Sequence, residues 1–405
     1  MTDTLRDLLR ESVADAEMPD VADRAWRAGG RMRRRRAASA VAGVAAVAAV
    51  VGGLVWVAGQ GPDHPGATPV HRPTSPTPPT SPTPPYDEKR GKPDAEYLGT
   101  SVWWAPRVSQ ESALPEYRSN PMPTTIDLLA PDSGLVGDPV GHALAAFAVY
   151  ASDGSVSMVK VLGPDGLLRG VDLVPSPGEP APVLPMRDPE GNLRVRAGTS
   201  MLSPSGEYLM FPQDGSIRLL RLRDDRWSTI DTGSHGTWDA TWTARGDIVL
   251  WNPDRPGAAA PVYDVTGARV ARGGATDDLQ PRWNSDPYGL PRRSPGGSLA
   301  QSYVAGADVP QPPALHLSPR QSDWIGVASG PDAILELPQE MERQKQCCQV
   351  AGWLDRSDLV YESRSSEELR LIAWRMGTGR FWQVARVVGW TPGQESVVSS
   401  YARLY

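Results

Sequence analysis

Five histidines, His64, His71, His142, His235 and His316, are the side chains suited by type to ligate a metal or move a proton near neutral pH, and their spacing fits neither task. None stands at metal-ligand distance in sequence from a cysteine, aspartate or glutamate. The G-x-S-x-G nucleophile elbow, the phosphate-cradling glycine loop and the H-E-x-x-H zinc motif are all missing. Paired carboxylates occur at Asp224-Asp225 and Asp277-Asp278, a pattern that can divide acid and base roles. Both pairs fall where turns are expected, and aspartate is a turn former. The expectation is therefore no catalytic residue, no cofactor and no metal.

Three further patterns could carry recognition or redox chemistry. Arg245-Gly246-Asp247 spells an integrin-type tripeptide, but it precedes the strand-like "DIVLW", where a Gly-Asp turn is expected anyway. Cys347 and Cys348 are adjacent and are the only cysteines. A vicinal disulfide can form in an oxidising compartment, whereas strand alternation would put one thiol inside and one outside. Fourteen Trp against three Phe fit packing between sheets. Trp103, Trp104, Trp238 and Trp324 are the candidates for a ring of exposed aromatics that binds glycan or peptide.

The elements that position such residues begin with a membrane segment. Residues 37–59, from Ala37 to Gly59, carry no charge, and 23 residues at a helical rise of about 1.5 Å reach roughly 34 Å, the thickness of a bilayer core. Arg31 and Arg33 to Arg36 lie just before it, and the first charge after it is Asp63. The positive-inside rule then places the N-terminus in the cytoplasm and the C-terminal bulk outside the cell membrane, as a single-pass protein. A cleaved secretory signal ending near Val57-Ala58-Gly59 is the competing expectation.

Residues 1–36 form an Arg-rich head. Leu5, Leu8, Leu9 and Val13 share one helical face, and Trp26 follows after Pro19, so this amphipathic stretch is a candidate docking helix for a partner. Residues 60–96 contain "HRPTSPTPPTSPTPP", a Pro/Thr/Ser linker that cannot pack. With a net charge of −6, the chain is not expected to bind nucleic acid.

Residues 97–405 read as all-β, with short runs such as "HALAAFAVYA", "EYLMF" and "DIVLW" between Gly, Pro, Asp and Ser turns. "MLSPSGEYLMF", "TWTARGDIVLW" and "GWLDRSDLVYE" share one shape: an apolar residue, a polar turn, then a strand. Taking Leu202, Trp242, Trp283, Trp353 and Trp390 as equivalent gives spacings of 40, 41, 70 and 37, near the length of a propeller blade. This predicts a six- or seven-bladed β-propeller. Too few residues follow Trp390 for a whole blade, so "TSVWWAPRV" is expected to complete it and close the ring.

The "LSPSGEYLMFPQDGSIRLLRL" stretch from Leu202 resembles the serine-proline-aspartate-glycine blade motif of TolB-like and WD-repeat-like propellers, with Ser203, Pro204 and Gly206 matching and Ser205 where aspartate is usual. The wider layout is similar to actinobacterial single-pass membrane proteins with an extracytoplasmic propeller. That resemblance implies a non-enzymatic module, its propeller engaging an envelope protein or glycan and its head contacting a cytoplasmic regulator such as a sigma factor. The zinc-type anti-sigma domain uses a histidine and paired cysteines, none of which precedes His64 here. The alternative is a surface-tethered hydrolase or lyase acting on wall glycan or peptide in the propeller funnel.

Overall fold

Strands that are apolar at every position, rather than at alternate ones, need cover on both faces, and the sequence supplies many of these. The computed structural model describes residues 91–97, 99–173, 182–187, 193–233, 236–250, 260–270, 286–304, 323–328, 332–337, 348–365, 368–391 and 395–405. The head, the apolar span, most of the linker, Trp283 and Asp277-Asp278 lie outside them.

Five blade sheets occur among the described residues. In the first blade, Glu395–Tyr401 pairs with Ala145–Ala151, which pairs with Val156–Leu162 and then Leu168–Gly170. The second blade holds Tyr208–Gln213, Ser216–Arg221 and Arg226–Asp231, with Leu202 bridging Leu209 on the inner side. Ala240–Trp242, Ile248–Leu250 and Val262–Tyr263 make the third. The fourth runs Asp286–Arg293, Leu299–Val304, Asp323–Ala328 and Ala333–Leu337. The fifth runs Val350–Trp353, Asp358–Arg364, Leu369–Arg375 and Phe381–Val388.

The apolar cores interleave these sheets in a ring. Phe147 and Val149 of the first blade pack with Leu371 and Val387 of the fifth, while Ala146 and Ala148, on the opposite face of the same strand, pack with Leu209 and Phe211 of the second. Met210, Ile217, Trp242 and Ile248 join the second blade to the third, and Leu290 of the fourth belongs to that cluster. Ile325, Leu335, Tyr361 and Trp374 join the fourth to the fifth. Each blade is thus sandwiched between two others, which is why "AAFAV" and "YLMF" are continuous apolar runs.

Two expectations need correction. The described residues hold five blades, not six or seven, because chain that would have built another blade is spent at outer edges: Thr100–Trp104 pairs in parallel with Ala333–Leu337, Thr125–Asp127 with Phe381–Val388, and Ser133–Gly134 with Leu168–Gly170. The "TSVWWAPRV" segment therefore does not close the ring. Closure is made by Glu395–Tyr401 against Ala145–Ala151, in register from Glu395↔Ala151 to Tyr401↔Ala145.

The polar turns that end the inner strands repeat one geometry. Gly206 donates to the Ser203 carbonyl (2.9 Å), Gly246 to Thr243 (3.0 Å) and Gly297 to Ser294 (2.9 Å). All three glycines have positive φ. The fourth blade's inner strand accordingly ends at Arg293, before Ser294-Pro295-Gly296-Gly297. Gly206 is the most constrained: φ is +75° and a Cβ there would lie 2.3 Å from the Ala143 carbonyl oxygen. Gly206→Ala is expected to cost about 2 kcal/mol or more, from left-handed strain plus that collision, read as a lowered denaturant midpoint at unchanged slope.

The hairpin before Leu168–Gly170 carries a second measurable term. Arg169, with its side chain buried, grips Asp165 (Nη2–Oδ2 2.6 Å) and Asp138 (3.0 Å). The Arg169 hydrogen bond holds the Asp165 carboxyl down to about 2, against an ordinary 3.8. A depressed folded value stabilises above the ordinary carboxylate range, and that stabilisation is lost as pH falls towards 2. Because Asp165 is 45% exposed, solvent screening keeps the effect below about 1 kcal/mol. In Asp165→Asn the stability lost between pH 4 and pH 2 should shrink, as acid-titrated thermal melts would reveal.

Candidate functional site

All five blades converge on one cavity. Its walls are Pro204 beside the second blade, Trp242 to Arg245 of the third, Leu290 to Arg293 of the fourth, Gly352 and Trp353 of the fifth, and Ala402, Arg403 and Tyr405 after the first blade's closing strand. These are the points where inner strands run into their turns, so the cavity is a mouth of the propeller's axis. Its volume is about 520 Å³, enough for a small organic ligand.

The lining carries four arginines and no Asp or Glu side chain. Arg245, Arg293 and Arg403 are exposed at the rim, while Arg292 is 6% exposed. Arg403 donates to the Ala244 carbonyl (2.6 Å), Arg293 to the Gly297 carbonyl (3.2 Å), and the Tyr405 hydroxyl donates to the Arg293 carbonyl (3.1 Å). The backbone of Arg292 is fixed by the Trp353 indole, whose Nε1 donates to its carbonyl at 2.9 Å. Its guanidinium is not so served: Nε and Nη2 are buried with no hydrogen-bond partner among the described residues. The Trp242 indole nitrogen is likewise buried with no hydrogen-bond partner among the described residues. Burial, followed by repulsion from Arg403, pulls the Arg292 guanidinium down to about 10. The side chains at the rim of this site bring positive charge and guanidinium donors.

No family model and no curated protein matches the chain. Solved structures are similar to it at low scores. A putative TolB from Agrobacterium tumefaciens is 13% identical with a TM-score of 0.29, over 64% of this chain and 99% of that one. Dihydro-heme d1 dehydrogenase NirN in complex with DHE is 14% identical at 0.28, over 72% and 62%, and an apo isopeptidase is 14% identical at 0.27, over 64% and 48%. The sheets and their interleaved cores, not these likenesses, make the chain a β-propeller.

The aromatic candidates fall elsewhere. Trp103 is 3% exposed in the core shared by the fourth and fifth blades, and its strand neighbour Trp104 faces out, 37% exposed. Trp324 stacks on Tyr303 at 4.4 Å within the fourth blade. Trp238 lies beneath the Arg196 guanidinium, 4.7 Å from the ring centre. None of the four lines the cavity. Leu5, Leu8, Leu9, Val13 and Trp26 lie outside the described residues.

His142 is exposed, before the first strand of its blade. Asp224 pairs with Arg221, and Asp225 occupies a turn at φ 48°, which is the structural use foreseen for that pair. Among the described residues no group of three or more His, Cys, Asp or Glu is placed to hold a metal. Cys348 is disulfide-bonded, and the chain's one other cysteine is its neighbour Cys347. The extended alternation expected there does not hold, because Cys348 has φ +79°.

Sequence reasoning missed Arg292 and Arg403 and set Arg245 aside with its tripeptide. The available signal was the repeat itself: these arginines sit at or beside the turns that end successive inner strands, positions that any propeller brings together at one mouth.

Proposed function

We propose that this chain is a membrane-anchored, non-enzymatic interaction module whose propeller binds an envelope ligand or protein and whose head contacts a cytoplasmic regulator such as a sigma factor. The observation that carries the binding role is the five-blade cavity, a concave surface lined by indole rings and guanidiniums. The anchor rests on the uncharged Ala37 to Gly59 segment and the arginines before it. No helix among the described residues is long and apolar enough to cross a membrane, so that segment alone carries this part of the proposal. The disulfide at Cys348 supports an oxidising compartment for the propeller.

The test is a crosslinking pull-down from native membranes, comparing the full-length chain with one lacking Thr2 to Gly30. A cytoplasmic regulator recovered only with the intact head, and envelope components recovered with both, is the expected result. Identical recovery from both chains with nothing cytoplasmic would remove the head from the mechanism.

A further inference from the structure

We infer that the outer edge of the second blade is a self-association surface, on which a second copy of this chain pairs antiparallel along Arg226–Asp231 about a two-fold axis through Thr229. The outer strands of the other four blades each carry further chain. Thr100–Trp104 covers the fourth, Thr125–Asp127 the fifth and Ser133–Gly134 the first. In the third, the Val270 amide donates to the Val262 carbonyl (2.9 Å) and Arg269 bridges Tyr263. Arg226–Asp231 ends its sheet, and among the described residues no strand pairs with its outer side.

The backbone groups that this edge presents follow from the ladder. Leu222 donates to the Glu207 carbonyl and Thr232 to the Gly215 carbonyl, both at 2.9 Å, which fixes the alternation across the sheet. Arg226, Ser228 and Ile230 then turn their amides and carbonyls towards Ser216–Arg221, while Trp227, Thr229 and Asp231 turn theirs outward. Such an edge, with no proline and no lysine to guard it, is a template for another strand.

The residues of the edge suit their own copy. In an antiparallel pair outward residues face outward residues, and centring on Thr229 is the register that uses all three: Trp227 opposite Asp231, Thr229 opposite Thr229 and Asp231 opposite Trp227. Those pairs exchange about six hydrogen bonds, two each. The strand is positive at one end, Arg226, and negative at the other, Asp231, so an antiparallel copy brings unlike ends together, whereas a parallel one sets like charges side by side. The Arg218 guanidinium lies 5.5 Å from the centre of the Trp227 ring and donates from Nη1 to the Thr229 hydroxyl, on the face of the sheet where the partner's Asp231 arrives. Asp231 accepts from the Gly233 amide through one oxygen (2.8 Å), and its other oxygen faces that charge. The contact is isologous, so pairing closes at two copies.

A six-residue edge is small for an interface, and the expected dissociation constant is on the order of 10–100 µM. The test measures the mass of the full chain in detergent by light scattering, from below to above that range, and the wild type should pass from one copy to two. Thr229→Lys sets like charges opposite each other on the axis, and Thr229→Pro removes a donor that the blade's own ladder does not use. Each should weaken association tenfold or more while the monomer's melting midpoint moves by no more than about 2 °C. Thr229→Cys should give a disulfide-linked dimer under mild oxidation, and Ser228→Cys, which lies off the axis, several-fold less. A wild type that stays one copy throughout would overturn the inference, and this series decides even if a variant fails to fold. So would a dimer that survives Thr229→Lys and does not crosslink through Thr229→Cys, which would place the contact elsewhere, such as the Ala37 to Gly59 span. A monomeric wild type whose Thr229→Cys thiol is captured by a different protein in native membranes would give the edge to that protein and equally end the proposal.

Discussion

Deleting Glu395 to Tyr405 should leave a chain with no cooperative melting transition, because one strand does two jobs that no other segment duplicates. It pairs along seven positions with Ala145–Ala151 and so joins the ends of the ring. It also inserts Val397 and Tyr401 into the core between the first and fifth blades, while Ala402 packs between the first and second. Burial of large apolar side chains is worth about 1.5–3 kcal/mol each, and the ladder and the freed Ala145–Ala151 edge add to that, against a net stability of about 5–15 kcal/mol for a whole protein. The expected readout is tryptophan fluorescence without a sigmoidal transition, together with aggregation through the open edge. A cooperative melt in the deleted chain would mean that closure is not made here.

Glu362→Ala is the point substitution expected to weaken the chain most, by about 3–5 kcal/mol. The Glu362 carboxylate is fully buried, and its Oε1 accepts from the Tyr401 hydroxyl (2.8 Å), the Gln349 amide nitrogen (3.1 Å) and the Ser399 hydroxyl. Arg364 lies at 3.4 Å from its other oxygen. Removing the acid takes an acceptor from three buried donors and the counter-charge from Arg364 together, although the Gln349 amide keeps the Ser399 carbonyl and Arg364 keeps the Val397 carbonyl, so the loss exceeds that of a single hydrogen bond. Burial and then the Glu362 charge raise the Tyr401 phenol well above its ordinary value, so it remains a donor across the working pH range. Glu362→Gln keeps an acceptor in the same place and should cost about half as much or less, which a pair of urea titrations would separate.

The parts of this molecule legible from sequence are those decided locally. "AAFAV", "YLMF" and "DLVY" announce strands covered on both faces, and Leu202, Trp242 and Trp353 do mark the ends of inner strands. The Asp153-Gly154 and Asp165-Gly166 turns formed as hairpins, with both glycines at positive φ. Blade number was not local. Thr100–Trp104 and Thr125–Asp127 have the composition of blade strands, and only their parallel pairing on outer edges shows that they found no new blade. The candidate site failed to show for a related reason. "PRR" at Pro291 to Arg293 has the texture of a solvated surface, and Arg292 becomes a buried, unsatisfied charge only through Trp353, Trp242 and the residues after Tyr401, all distant in sequence.

The pairing of Glu395–Tyr401 with Ala145–Ala151 also bears on how fast the chain reaches its native state. The second and third blades are meanders of neighbouring strands, whose contacts form with little loop-closure entropy, whereas Val149 must find Val397 roughly 250 residues away. Closure is then the late, slow event, and until it happens both partner strands have unpaired edges exposed to other chains. Dilution or a holdase during that interval should raise the yield of native protein more than any substitution that merely strengthens a single blade.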